Sequence, residues 1–379
     1  MYIPATMQSA RIGEIYAQIQ QDLYLDMIEA LTKASAYELE QNPFMWQLEK
    51  YKEFEKLGSD RIKYIASQTG KAEDLLYKIL VKDAQNLYDD TWKELAKATL
   101  MTPAYAPIKN MLDAYFNQTF REIDNFINQT LLTTHFGSNA AMKQYQSMLE
   151  QIVAEVTAGL KSKDKAIKDV VMEWLNKGIP SEFIDKGGNV WSIANYARTV
   201  TQSTVYRVYN EMRVMASEAF GVDTFYMSSH AAARPACAPI QGGVVTKQAQ
   251  GFESGDPAIG YVPSLHDYGW GEPSGTFGIN CSHTLTPFVI GINKLPDDPN
   301  RDITPEQAMG NAKEQVRQRT YEREIRLSKK NLEAAKKLQD QDSILKYQTR
   351  LNGLRSGLRD LIDEHDFLVR NYARERFFA

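Results

Sequence analysis

The chain has 379 residues, 43% hydrophobic and 24% charged, with a formal net charge of −4 and a pI near 5.9. That length supports two or three structural units with a real core at roughly 100–200 residues each, and the acidic balance excludes a nucleic-acid binder working by bulk charge, leaving only local basic patches. Cys237 and Cys281 are too few for a disulfide framework and fit a reducing place of synthesis. No window approaches the ~18 consecutive apolar residues of a membrane span, and "MYIPATMQSARIGEIYAQIQ" lacks the layout of a secretory peptide, so a soluble chain without a membrane segment is expected.

In chain order, a helix is predicted from about Ser9. Ile12, Ile15, Tyr16, Ile19, Leu23, Met27 and Leu31 recur every three or four positions and draw one apolar stripe. The same period runs through "WQLEKYKEFEKLG", "AEDLLYKILVKDAQNLYDDTWKELAKA" and "MKQYQSMLEQIVAEVTAGLKS", so residues 1–175 read as long helices with short connectors. Tyrosines on these stripes are expected to be half-buried with a wet hydroxyl, or to face a partner. A further helix is predicted from Val190 to Phe220, with Gly221 as its left-handed cap. "DTFYMSS" then alternates aromatic and polar residues, as a half-buried strand does.

The character changes at Ala231. Ten of the 22 glycines and eight of the 14 prolines lie between Ala231 and Asn300, a density that favours short strands, turns and ordered loops. "TLTPFVIG" is the clearest strand there, with Pro287 placing it at an edge or bulge. Helix returns after "KLPDDPNRDITPEQA", capped by Thr304 with Pro305 in its first turn. Leu351, Leu354, Leu358 and Leu361 form a coiled-coil-like seam, and a turn over Asp340–Ser343 makes the tail a helical hairpin. The expected fold is α+β and predominantly helical: a helical arm over 1–175, a compact Gly/Pro-rich α+β module over 176–300 and a helical hairpin over 301–379.

His230, Cys237, Cys281 and His283 supply two nitrogens and two sulfurs, a donor set suited to tetrahedral zinc. One residue between Cys281 and His283 is not finger spacing, but side chains two apart on a strand share a face. The competing reading is a buried thiol beside histidines that hydrogen-bond loop backbone; His266 is a spare donor. A Cys–His nucleophile pair would need an orienting residue and an oxyanion hole that the sequence does not display, and "GWGEPSG" and "GTFG" are not phosphate loops. No catalytic set and no cofactor are therefore expected, structural zinc apart. Arg198, Arg234, Gln241 and Asn280 are expected to be rivets that satisfy loop backbone.

From Lys313 to Lys337 there are nine Lys or Arg against four Glu. This reads as a solvated face laced with Glu–Arg pairs, or as a contact for DNA or an acidic partner through Arg323, Arg326, Lys329, Lys330, Lys336 and Lys337.

"SSHAAARPACAPIQGGVV", "GWGEPSGTFGINCSHTLTPFVIG" and "QRTYEREIRLSKKNLEAA", in this order behind a long helical region, resemble the phage minor capsid protein 2 family, which is related to the Mu-F-like head morphogenesis proteins of tailed bacteriophages. "YARTVTQSTVYRVYNE" is similar to the Arg-Thr-bearing helix ahead of the Mu-F core. The chain departs where the family shows His at 237, an aromatic at 240 and Arg at 282. The first exchange keeps a metal-capable residue; the last weakens any fixed catalytic set. The resemblance implies a non-enzymatic minor component of the virion, inside the head at the portal vertex, made in the bacterial cytoplasm. Its implied partners are the portal protein, other copies of itself, the major capsid or scaffold protein and packaged double-stranded DNA. Some relatives carry toxin domains behind the core, whereas only a helical hairpin follows it here. Two other readings stay open: a zinc-dependent hydrolase or transferase on the Cys/His set, and a DNA-binding internal virion protein.

Overall fold

The computed structural model describes residues 5–130, 140–177 and 193–377. Helices α1 (Ala5–Thr32), α2 (Pro43–Tyr77), α3 (Ala84–Thr99), α4 (Lys109–Thr130), α5 (Ala140–Thr157), α6 (Lys163–Lys177) and α7 (Ile193–Ala219) precede five short strands. These are β1 (Thr224–Met227), β2 (Val244–Thr246), β3 (Phe252–Glu253), β4 (Tyr261–Val262) and β5 (Leu285–Pro287), followed by α8 (Pro305–Lys337) and α9 (Gln341–Asp363). The protein is predominantly helical with a small mixed region in the middle. Among the described residues, no helix is long and apolar enough to cross a membrane.

The chain gathers into two compact units, each drawn from separated stretches. One holds Met1–Ile12, Ala72–Arg121 and Ala197–Val316; the other holds Gly13–Lys71, Glu122–Tyr196 and Arg317–Ala379.

The first unit carries the sheet, ordered β2-β1-β5 and antiparallel throughout, with Phe225 opposite both Val245 and Pro287. Every residue of β1 is buried, in place of the expected half-buried alternation. The reason is that both faces are covered: Phe225 and Met227 pack with Val245, Leu265 and Leu285, and Tyr226 packs with Val244, Val262 and Phe288. β5 lies at the edge, where Pro287 withholds no needed ladder donor, and it is shorter than "TLTPFVIG". Gly221 adopts φ 63°, and Val222 N–H closes the end of α7 on Ser217 O at 3.0 Å. The expected start of that helix at Val190 lies outside the described residues.

The segment predicted as one helix over 72–98 is interrupted by a π-helical turn, Lys78–Asp83. Ile79, Leu80 and Val81 are all buried there, and the wider turn brings three consecutive apolar residues inward where an α-turn would push one out. At the start of α8, Gln307 N–H donates to Thr304 Oγ1 at 3.2 Å, and Gln307 Oε1 accepts from Thr304 N–H at 2.9 Å. That reciprocal pair is a capping box.

In the second unit, Tyr24 of α1 meets Trp174 of α6 edge-on at 4.8 Å, and Phe54 of α2 meets Tyr145 of α5 at 4.4 Å. Tyr16 and Tyr145, like Tyr88 of the first unit, are fully buried rather than half-wet; the Tyr145 hydroxyl finds Lys50 O at 3.3 Å, so its burial leaves no orphan. Ile325 of α8 packs with Leu351 and Leu358 of α9, and Leu354 lies at the margin of that seam. The turn falls at 338–340, two residues before the expected one, because Asp340 is the N-cap of α9 and accepts from Ser343 N–H.

Candidate metal centre

Behind β1 the chain makes a tight helical turn. Cys237 N–H and Ala238 N–H donate to Arg234 O, and Ile240 N–H and Gln241 N–H donate to Cys237 O. This aims the fully buried Cys237 at the underside of the sheet. The loop ahead of β5 comes from the other side. Asn280 takes φ 60° and its N–H donates to Ser203 Oγ of α7 at 3.0 Å, after which Cys281 and His283 are buried while Ser282 between them is not. Alternation on extended backbone thus puts sulfur and imidazole on one face.

The three donors converge. Cys237 Sγ lies 3.9 Å from Cys281 Sγ, and Cys281 Sγ lies 3.4 Å from His283 Nδ1. All three donor atoms are within 4.8 Å of one another. His283 Nε2 is 2.9 Å from Gln241 Oε1, which also accepts from His230 N–H at 3.0 Å, while Gln241 Nε2 donates to His230 O at 3.1 Å. His230 stands beside this group, its ring centroid 4.3 Å from that of His283 and its Nε2 3.4 Å from Ser282 Oγ. Hydrogen bonding between the thiols pulls the Cys281 thiol below its ordinary range and pushes Cys237 up, as a proton shared by two close sulfurs requires. Burial, aided by the neighbouring His283, lowers His230. A buried, low-polarity S₂N set of this kind suits a soft divalent cation.

The surrounding loops are tied internally. Gln241 rivets the His230 backbone, and Arg234 Nη2 donates to Ile279 O at 2.5 Å. Asn280 acts through its left-handed backbone; its side chain is exposed. Arg198 is half-buried on α7. His266 sits apart from the cluster, with Nε2 3.2 Å from Lys247 O and its ring against Trp270. Glycine is required by contact at Gly275 and Gly278: a Cβ would strike Gly269 O at the first and the Glu272 and Pro273 carbonyls at the second. Three ties carry no spacing signal in the sequence. Buried Asn210 on α7 donates to His283 O at 3.0 Å and accepts from Leu285 N–H at 2.8 Å. Thr276 donates to Ala236 O at 2.7 Å. Asp298 accepts from Tyr226, Ser229 and Asn300 N–H; burial raises its carboxyl, but these bonds outweigh that and hold it at about 2.

The match to known proteins runs along almost the whole chain: the model of the family described as phage minor capsid protein 2 matches residues 5–363. The chain belongs to that family. Among its relatives, a "Structural protein" of Lactococcus phage LL-H is 34% identical over 373 residues, covering 96% of this chain and 98% of the relative. A "Structural protein" of Lactococcus phage mv4 is 35% identical over 114 residues, 30% of this chain and 90% of the relative. No solved structure matches.

In this minor capsid family member part of the basic stretch of α8 anchors the chain's own tail. Arg326 donates to Arg374 O, Lys329 Nζ to Glu375 O at 2.6 Å and Gln318 Nε2 to Val369 O at 2.8 Å. Lys330 Nζ donates to Leu175 O in the last turn of α6 at 2.6 Å and lies 4.9 Å from the Tyr24 ring centroid. Burial brings its ammonium down to about 8. Arg323, Lys336 and Lys337 are exposed; Arg323 reaches Thr320 Oγ1 at 3.4 Å and Lys336 pairs with Glu333 at 3.2 Å. Of the six cations, these three face outward.

Proposed function

We propose that the chain is a non-enzymatic structural component of the tailed-phage head, bound to the portal at its inner face, where it assists head assembly and the packaging and delivery of DNA. The observation that carries this reading is the family match over residues 5–363, together with a relative of nearly equal length whose name is structural. The local chemistry supports it. Side chains that in an enzyme would be left for substrate are here used up on neighbouring backbone: Gln241 on His230, Asn210 on His283 and Leu285, Thr276 on Ala236. A cleft of about 430 Å³ in the same unit is walled by Arg207, Glu211, Trp270 and Phe277, and neither thiol lines it.

Co-purification tests the reading. Portal oligomers isolated from infected cells carry the chain through gel filtration at moderate salt. Recovery of the chain only in the portal-free fraction contradicts the assignment.

A further inference from the structure

Two edges of the Cys237–Cys281–His283 cluster have the dimensions of a zinc centre. With Zn–S near 2.3 Å and Zn–N near 2.0–2.1 Å, tetrahedral angles set S···S edges of about 3.8 Å and S···N edges of about 3.5 Å. The Cys237 Sγ–Cys281 Sγ and Cys281 Sγ–His283 Nδ1 distances are 3.9 Å and 3.4 Å, and the remaining Cys237–His283 edge is within 4.8 Å.

The hydrogen-bond relay also fixes which imidazole nitrogen faces the sulfurs. His230 N–H donates to Gln241 Oε1 and His230 O accepts from Gln241 Nε2, so the backbone orients the amide and leaves no choice of flip. Oε1 only accepts, so the 2.9 Å contact to His283 Nε2 requires the proton on Nε2. In the neutral ring Nδ1 is then the bare nitrogen, and it is the one facing Cys281 Sγ. A second residue that holds the far N–H and presents the other nitrogen is how ligating histidines are set.

We infer that Cys237 Sγ, Cys281 Sγ and His283 Nδ1 bind zinc(II) as a structural staple, with Gln241 as the positioning residue. Each Zn–S bond forms on a thiolate, and any proton the two sulfurs still hold leaves to solvent. His230 stands outside the donor set, its ring centroid 4.3 Å from that of His283. The staple joins residues 44 apart in sequence across loops with little ladder pairing, where a cross-link contributes most to holding one conformation. This inference is independent of the portal assignment and does not fall with it.

The test uses the full-length chain under reducing conditions. After gel filtration from zinc-supplemented culture it carries about one zinc per chain by elemental mass spectrometry. Cobalt(II) added to the metal-free chain gives thiolate-to-metal charge transfer and the visible bands of a tetrahedral site. Gln241→Ala weakens zinc affinity about 10–100-fold and leaves the cobalt spectrum tetrahedral. Cys237→Ser and Cys281→Ser each abolish the charge-transfer band. A buried serine can unfold the module by itself, so the wild-type cobalt spectrum decides. A folded wild-type chain that takes up neither metal overturns the inference, as does zinc retained by the double Cys→Ser variant.

Discussion

Asn210 and Asp298 hold the module together one side chain at a time. Both ends of the Asn210 amide are used in a site only 6% exposed, so Asn210→Ala leaves a buried carbonyl and a buried N–H without partners. Each such orphan costs about 1–3 kcal/mol; urea unfolding should show a loss of about 2–4 kcal/mol at unchanged m-value. Asp298 adds a pH dependence. Its folded carboxyl at about 2 lies below the ordinary 3.8, so the unfolded chain binds the proton more readily. Its contribution is complete above about pH 4 and is lost as pH falls toward about pH 2. Asp298→Asn should flatten stability over that window; an unchanged acid limb would refute the role. Cys237, Cys281 and His283 could be listed from the sequence, together with His230, because thiol and imidazole chemistry is distinctive. Asn210 and Asp298 could not: a lone polar residue on an amphipathic helix or in a Pro-rich loop looks the same whether it faces water or core.

At the scale of elements, α8 shows why a basic stretch is ambiguous on paper. Composition counts charges but does not say which turn of the helix faces a neighbour, and Lys330 points at the last turn of α6, where a cation is favoured by the helix dipole. Lys50 does the same for Lys33 O just past α1, and burial lowers its ammonium too. The tail that α8 anchors is closed by Arg370 and Glu375, whose paired contacts of 2.7 and 2.9 Å are nearly buried on the carboxylate side. Glu375→Ala should cost about 1.5–3 kcal/mol and release residues 369–377 to proteolysis; an intact tail in that variant would contradict the anchor. Of the six cations singled out, only Arg323, Lys336 and Lys337 face solvent, so DNA held through those three gives a log affinity that falls against log salt with a slope no steeper than about −3. A steeper slope that survives charge reversal at all three places the contact elsewhere. Helices and the α8–α9 seam were readable because period and capping are local. The π turn at 78–83 and the full burial of β1 were not, because both depend on what covers them from distant parts of the chain.

For the whole molecule, reading in chain order yields consecutive segments, whereas each compact unit draws on three separated stretches. Long-range packing of that kind leaves no trace in composition. What the sequence does carry at this scale is the family, legible in the glycine-dense middle and its Cys-x-His loop, and family membership is where the functional reading starts. The portal placement is tested most directly by a cryo-EM reconstruction of the portal vertex in purified, DNA-filled particles, with the chain quantified in the same particles by mass spectrometry. The account predicts density for this chain against the inner face of the portal. Complete, infectious particles that contain none of it would contradict the account.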